Sequence, residues 1–406
     1  MKDSFESEFF AGNRQRLRTL FQGTAPIVLT ANGLLQRNGD NYYPFRQDSS
    51  FWYLTGIDMP DVKLVIDKDN EYLIMPEISP HEAVFNEPRD LDEIQGRSGI
   101  KDIYESKEGW KKLGSRLKKV KHVATVGAQS AYSDHYGFFV NPARGTLIAE
   151  IKSYNSEVTL LDIRQHLVLM RSVKQPVELE AIKKAIDITA KTIKSIAKKR
   201  DKYQFEYQIE ADLIHGFRSR GARGHSFEPI VASGANSAIL HYQANNSEIE
   251  NGWLLLDVGA EFDHYAADIT RVFSVGEPAK RNRIVHQTVR DVQEYAFSLI
   301  APGAKLRENE KKIHQFMGEK LRELGLIKMI DDESVAKYFP HSTSHSMGLD
   351  VHDPMDYDRP LEPGMVITVE PGIYIPEEGF GVRIEDDVVI TDKGYTILSK
   401  NIPIEL

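Results

Sequence analysis

Two acidic residues stand in apolar, strand-like segments in the middle of the chain. Asp257 ends an apolar run within residues 253–258, and Asp268 interrupts residues 267–275. A buried carboxylate is costly unless it is paired or binds a cation. If the two segments form a hairpin that turns near residues 262–263, the aspartates take matched positions, with Cβ atoms about 5 Å apart. Carboxylates so placed share either a proton or a metal ion.

A second acidic pair repeats this arrangement near the C-terminus. Glu370 ends the apolar segment 365–370, and Glu385 lies within the segment 382–391. A hairpin that turns through residues 376–379 sets the two glutamates opposite each other. Two buried acidic pairs in equivalent positions repel strongly unless a positive charge compensates them.

Histidine supplies a nitrogen donor, because it is the commonest nitrogen ligand of metals in proteins. The segment 341–353 contains three of the 13 histidines and provides His345 as a fifth candidate ligand. Four carboxylates and one imidazole suit manganese, cobalt or zinc and disfavour copper. Carboxylates that bridge two metals about 3.5–4 Å apart form a two-metal hydrolytic centre. An acidic strand end alone is more often a turn or cap residue, so the ordered set of five indicates the metal centre. His225, His264 and His314 are assigned no function.

Composition excludes several classes of protein. The 406 residues carry a formal net charge of −9, whereas a non-specific nucleic-acid binder is usually basic. No 18-residue apolar run is present, so we expect no transmembrane helix, and the charged N-terminus does not resemble a secretory signal. The chain has no cysteine, which removes disulfides and thiolate ligands and fits a cytoplasmic protein.

The elements that position these residues form two predicted domains, residues 1–172 and 173–406. The first is a mixed α/β domain with a strand at 25–30 and a hairpin formed by 62–67 and 71–75. In the second, the order helix, helix, hairpin occurs twice, so we expect an α+β domain of two similar halves. Its predicted elements are a helix from Pro176, where proline favours the first turn, helices 206–220, 281–300 and 308–324, and strands 229–232, 253–258, 267–275, 365–370 and 382–391.

At these residues the sequence resembles the pita-bread metallopeptidases, a family that includes methionine aminopeptidase, prolidase and aminopeptidase P. The five-ligand order of that family, Asp, Asp, His, Glu, Glu, matches this sequence, and the resemblance covers residues 176–406. Residues 37–56 are similar to the N-terminal domain of the prolidase and aminopeptidase P branches, and most similar to aminopeptidase P. The resemblance implies a creatinase-like α/β N-terminal domain followed by an α+β pita-bread catalytic domain with pseudo-twofold halves.

The resemblance also implies a role for each ligand of two divalent metal ions. Asp257 binds one ion, Asp268 and Glu385 bridge both, and His345 and Glu370 complete the other site. Glu370 is in addition the acid/base that handles the proton of the attacking water.

Four further residues receive roles from the resemblance. His241 is implied near the scissile bond, His352 near the substrate carbonyl, and His341 in the lining of the pocket. Arg383 is implied as a partner of a ligand carboxylate, and outer contacts of that kind orient metal ligands. The alternative role for Arg383 is a surface ion pair with Asp386 or Asp387.

The implied activity is hydrolysis of the bond between an N-terminal residue and a following proline by a hydroxide shared between the two metals. Manganese is the expected metal, with cobalt or zinc as alternatives. A prolidase that cuts only dipeptides and a metal-free binding module on the same fold stay open as other functions. The implied partners are a peptide with proline in second position and further copies of the chain in a homodimer or homotetramer, with no nucleic acid and no membrane. Asp40 either reaches a neighbour's pocket or is a turn residue after Asn38 and Gly39.

Overall fold

The computed structural model describes residues 5–78, 84, 89–127 and 137–404. The chain divides into two compact units, residues 1–170 and 171–406. Among the helices of the described part, none has the length and the apolar character needed to cross a membrane.

The first unit is built on a mixed six-stranded sheet. Its helices are α1 (Ser7–Phe21), α2 (Ser49–Thr55), α3 (Leu91–Ser98), α4 (Ser106–Leu117), α5 (Ala143–Tyr154) and α6 (Arg164–Ser172), and its strands are β1 (Ile27–Thr30), β2 (Gln36–Asn38), β3 (Asn41–Tyr42), β4 (Lys63–Ile66), β5 (Glu71–Met75), β6 (Asp102–Glu105), β7 (His122–Thr125) and β8 (Thr159–Asp162). The strand order is β6-β5-β4-β1-β7-β8. The β4–β5 hairpin matches the predicted one. Its alternating apolar residues bury one face against α4 and α5, in a core that includes Val65 and Leu113.

The second unit contains helices and several small antiparallel sheets. Its helices are α7 (Pro176–Ala197), α8 (Glu206–Ser219), α9 (Lys280–Ser298), α10 (Leu306–Glu323) and α11 (Asp332–Ala336), and its strands are β9 (Gly224–His225), β10 (Ile230–Ser233), β11 (Gly252–Val258), β12 (Ala260–Phe262), β13 (Tyr265–Ala266), β14 (Ile269–Val275), β15 (Val366–Val369), β16 (Gly372–Ile375), β17 (Phe380–Arg383), β18 (Asp386–Thr391) and β19 (Gly394–Ile397). Its three-stranded sheets have the orders β10-β11-β14, β13-β12-β9 and β15-β18-β19.

The order helix, helix, sheet occurs twice in this unit, as the sequence predicts: α7 and α8 precede β10-β11-β14, and α9 and α10 precede β15-β18-β19. Helix α7 begins at Pro176, and the Glu178 side chain accepts the backbone N–H of Gln175 at 2.9 Å, which closes a capping box. Both sheets contribute to one apolar core, which includes Leu255 from the first half and Val388 from the second.

The two predicted C-terminal strands are each interrupted where an acidic residue lies. Segment 365–370 ends its pairing at Val369, and segment 382–391 is divided between Arg383 and Asp386. Pro371 has no backbone N–H to donate to a ladder, which accounts for the first interruption. Glu370 and Glu385 therefore lie between two stretches of hairpin rather than within one continuous strand pair.

Candidate metal centre

Asp257 and Asp268 lie on the same face of the β11–β14 hairpin but not opposite each other. The strand partner of Asp257 is Thr270, so the prediction of matched positions was wrong by two residues. The hairpin turns at Asp263 and His264, whose φ angles are 47° and 68°. This turn is one residue later than predicted, and moving a turn by one residue shifts the strand partner by two. Because side chains alternate between faces, an offset of two keeps both carboxylates on one side.

Glu370 and Glu385 have the predicted register. Val369 pairs with Asp386, and continuing that register by one residue sets the two glutamates opposite each other. The hairpin turns through a short 3-10 helix that ends at Gly379, whose φ angle is 70°. Glycine adopts this left-handed backbone without strain, so the turn fixes the opposition of the second acidic pair.

The two hairpins and the loop that carries His345 converge on one point. Asp268, His345 and Glu385 each offer a ligand atom, and these atoms lie within 4.8 Å of one another. The Nε2 atom of His345 is 3.4 Å from Asp268 Oδ2 and 3.2 Å from Glu370 Oε1. The backbone of His345 is fixed to β15, because its N–H donates to Thr368 Oγ1 at 3.1 Å and its carbonyl accepts the Thr368 N–H at 2.9 Å.

Two carboxylate oxygens at this point are suited to a cation. Asp257 Oδ1 and Glu385 Oε1 are buried and have no hydrogen-bond partner among the described residues. Their second oxygens are occupied: Asp257 Oδ2 accepts from Arg383 Nη2 at 2.5 Å, and Glu385 Oε2 accepts from Thr270 Oγ1 at 2.7 Å. A buried oxygen without a partner is destabilising, and a divalent cation relieves that penalty. The donor set of carboxylates and one imidazole therefore fits divalent metal ions.

Burial and mutual repulsion perturb the acids of this cluster. Burial, with the nearby charge of Asp257, raises the pKa of Asp268 well above its ordinary value. Burial and the charge of Asp268 do the same to the pKa of Glu385. Burial also raises the pKa of Glu370, although His345 and Arg383 oppose that rise. Without a cation, protons compensate the negative charge that Arg383 leaves unpaired in this cluster.

We therefore expect manganese to stabilise the protein more as pH rises. An acid whose pKa is raised by folding adds stability below its ordinary pKa, and that stability is lost as pH rises through the raised pKa. Metal ions replace the protons. At a manganese concentration about 100-fold above Kd, the gain is about 2.7 kcal/mol, or about 5–10 °C in Tm. Thermal unfolding with manganese or with a chelator, from about pH 5 to about pH 8, measures it. A Tm difference that shrinks as pH rises contradicts the expectation.

Arg383 is turned inward to the acidic cluster. It is 4% exposed, and besides its bond to Asp257 it donates through Nη1 to Tyr374 Oη at 2.7 Å. Asp386 is paired instead with Arg271, at 2.6 Å. Arg383 thus forms a hydrogen bond with the predicted ligand Asp257. It does not form the alternative surface ion pair with Asp386 or Asp387.

His341 continues this chain of hydrogen bonds. Its Nε2 lies 2.8 Å from Tyr374 Oη and its Nδ1 lies 3.0 Å from the carbonyl oxygen of Ser342. A carbonyl can only accept, so we assign the ring proton to Nδ1, and Nε2 accepts from the tyrosine hydroxyl. Burial and the charge of Arg383 lower the pKa of His341 to about 4. The imidazole is therefore neutral at neutral pH.

The two remaining predicted histidines lie beside this chain. The ring centroid of His352 is 4.3 Å from that of His345, and burial together with His345 lowers the pKa of His352 to about 4. His241 is exposed, and its charge acts on the pKa of both His341 and His352. The structure thus brings all five predicted ligands, Arg383 and the three other histidines into one region of the second unit.

Tyr374 is a site residue that the sequence analysis missed. Its ring lies over the β16–β17 hairpin because two positions beside it are glycine. A Cβ atom on Gly372 would lie 2.5 Å from Tyr374 Oη, and one on Gly381 would lie 2.9 Å from its ring. The alternation of Gly372 and Tyr374 on one strand, facing Gly381 and Arg383 on the other, is a sequence pattern that could have identified it.

Comparisons with known proteins agree with this geometry. Residues 180–392 match metallopeptidase family M24, and residues 10–125 match the N-terminal domain of aminopeptidase P. The Xaa-Pro aminopeptidase of Haemophilus influenzae is 34% identical to this chain, covering 98% of it and 95% of that protein. A solved structure assigned to aminopeptidase P from Bacillus anthracis has a TM-score of 0.89 and 31% identity, covering 98% of this chain and 96% of that one. Aminopeptidase P from Escherichia coli with the inhibitor Pro-Leu has a TM-score of 0.86 and 31% identity, with coverage of 98% and 96%.

Proposed function

The chain belongs to metallopeptidase family M24, and we propose that it releases the first residue from peptides whose second residue is proline. One observation carries the proposal. Two buried acidic pairs and His345 converge in a chain that is similar to Xaa-Pro aminopeptidases along nearly its whole length. The inhibitor in the similar Escherichia coli structure, Pro-Leu, is itself a short proline peptide, which supports a peptide substrate here.

Two divalent cations per chain are part of the proposal, with manganese as the expected metal and cobalt or zinc as alternatives. Asp257 and His345 would each bind one cation, Asp268 and Glu385 would be shared by both, and Glu370 would complete the ligand set. When bound, the cations polarise the scissile carbonyl and lower the pKa of a water to about 7. The unpartnered oxygens of Asp257 and Glu385 support this assignment.

Glu370 has one oxygen available for proton transfer. Its Oε1 accepts from Thr368 Oγ1 at 3.1 Å and lies beside His345. Its Oε2 has no hydrogen bond to a described residue, and His341 Nδ1 is 4.0 Å away. We assign to Oε2 the proton of the attacking water, which it then delivers to the departing proline nitrogen.

The neutral histidines act on the substrate through hydrogen bonds. Because the pKa of His352 is about 4, its ring keeps a neutral N–H that donates to the oxygen of the scissile carbonyl as negative charge develops there. His341 lines the pocket, and the exposed His241 contacts the peptide beside the scissile bond. Arg383 orients the Asp257 carboxylate through its hydrogen bond to Oδ2, which leaves Oδ1 available as a ligand.

Cleavage should depend on proline and on peptide length. We expect release of the first residue from tripeptides and longer peptides with proline second, and kcat/KM lower by about 10–200-fold when alanine replaces that proline, the discrimination typical of one apolar pocket. Mass spectrometry of the products from matched X-Pro dipeptides, X-Pro tripeptides and X-Ala tripeptides measures both effects. Cleavage confined to dipeptides identifies a prolidase instead.

Self-association is proposed through the β2–β3 hairpin. Its flanking residues Leu34, Leu35, Tyr42 and Tyr43 are each 44–54% exposed, and exposed apolar clusters often mark interfaces. Asp40 is exposed in the turn of this hairpin. We expect sedimentation as a dimer or tetramer, and an Asp40→Ala enzyme that still assembles. A fully active monomer in analytical ultracentrifugation removes any role of Asp40 in a neighbour's pocket.

A further inference from the structure

A buried carboxylate outside the metal centre collects four hydrogen bonds. Glu206, in the first turn of α8, is 0% exposed. It accepts from the backbone N–H of Ser233 at 2.8 Å and of Ser247 at 3.0 Å, from Asn236 Nδ2 at 3.0 Å and from Tyr242 Oη at 2.7 Å. A carboxylate offers about four acceptor sites, so this side chain is saturated.

All four donors belong to one segment, residues 233–247, which we call the His241 loop. The backbone N–H of Glu206 also donates to the carbonyl of Ser247 at 3.0 Å. Glu206 therefore fixes the loop at its start, at its end and at Tyr242, the neighbour of His241. Tyr242 is buried, whereas His241 is exposed, so the anchor leaves the imidazole free to meet a substrate.

The opposite side of the His241 loop is packed on strand β17. Ser237 Oγ accepts the backbone N–H of Gly381 at 2.8 Å. A Cβ atom on Gly381 would lie 2.3 Å from the carbonyl oxygen of Ser237, so only glycine permits this approach. Strand β17 also carries Arg383, a partner of the acidic cluster. The His241 loop is therefore held between β17 on one side and Glu206 on the other.

We propose that Glu206 is a positioning residue that holds His241 at the scissile bond. The inference rests on the proposed function, which supplies the role of His241. A displacement of about 1 Å at a reacting group lowers rates by about 10²-fold, and no other described carboxylate accepts from both ends of this loop. Replacing Glu206 by glutamine turns one acceptor oxygen into an NH₂ group, which cannot accept from the loop.

A double-mutant cycle tests the coupling. Glu206→Gln, His241→Ala and the double variant are compared in kcat/KM on an X-Pro tripeptide, with metal content measured for each. We expect Glu206→Gln to lower kcat/KM by about 10–100-fold with unchanged metal content. In the His241→Ala background the same substitution should add less than about a threefold loss, because residues that act as a unit are not additive.

An equal loss in both backgrounds overturns the inference, since Glu206 would then support the fold alone. A wild type that does not cleave X-Pro peptides overturns the proposed function and this inference with it. An unaffected His241→Ala enzyme that still cleaves them overturns the role of His241, and therefore this inference alone. Glu71→Gln is the matched control, because Glu71 likewise accepts on both carboxylate oxygens, from Arg14 and Arg18 at 2.9 Å each, but has no hydrogen bond to the His241 loop. It should lower Tm without changing kcat/KM.

Tyr242→Phe tests the same coupling if Glu206→Gln does not fold. It removes a single O–H donor to Glu206 and keeps the ring in the core. We expect a loss of about 3–10-fold in kcat/KM that again disappears in the His241→Ala background. A Tyr242→Phe effect that persists without His241 is evidence against positioning.

Discussion

Asp268→Asn should leave the chain with fewer than two divalent metal ions and reduce kcat/KM by at least about 10³-fold. The carboxylate lies 3.4 Å from His345 Nε2 and shares a 4.8 Å cluster with Glu385. An amide has no charge to bridge two cations, so a cation is lost directly. Removal of one electrostatic contact in other hydrolases already lowers kcat by about 10²–10³-fold.

Elemental analysis and turnover in the same manganese buffer measure the two losses together. Asp263→Asn is the matched control, because it makes the same change in the turn of the same hairpin. Asp263 has a φ angle of 47°, which asparagine tolerates well, so metal content and rate should match the wild type. An Asp268→Asn enzyme with two ions and normal turnover removes Asp268 from the metal site.

The fold class could be predicted from the sequence because the acidic residues interrupt otherwise regular patterns. The predicted α/β domain followed by a pita-bread domain is confirmed by the family matches and by the solved aminopeptidase P structures. Asp257 lies near the end of an apolar strand and Glu370 directly follows another, and a charge at such a position is unusual enough to be informative.

The strand register was predicted correctly only for the hairpin whose turn is clearly marked in the sequence. Pro376 and Gly379 mark the second turn clearly, and the predicted opposition of Glu370 and Glu385 agrees with the observed strand pairs. In the first hairpin, both turn residues have positive φ although neither is glycine, so the pattern for such turns, usually Asn-Gly or Asp-Gly, is absent. The predicted turn was one residue early for that reason.

Contacts between distant segments account for what the sequence analysis did not predict. Glu206 and Tyr242 are 36 residues apart, and Thr270 and Glu385 are 115 apart. No local periodicity encodes such pairs, because a buried hydrogen bond depends on where two elements pack and not on either element alone. The candidate ligands could be predicted from the sequence, whereas the groups that orient them required the structure.

Glu370→Gln should separate proton transfer from metal binding. The glutamine keeps an oxygen that can occupy the place of Oε1, beside Thr368 and His345, at nearly the same size. It replaces the basic Oε2 by an NH₂ group that cannot accept the proton of the attacking water. Because general acid/base catalysis contributes about 10²–10⁴-fold, we expect kcat to fall by that factor while at least one metal ion and the fold are retained.

A comparison with Asp268→Asn distinguishes the loss of proton transfer from the loss of metal. Both variants exchange a carboxylate of the cluster for its amide, yet only Asp268→Asn should lose metal in proportion to activity. Glu377→Gln is the control on the same hairpin, because Glu377 is half exposed and paired with Lys337 in a surface contact that solvent screens. We therefore expect Glu377→Gln to have the kcat of the wild type. Near-normal kcat in Glu370→Gln with full metal content would assign the proton of the attacking water to another group.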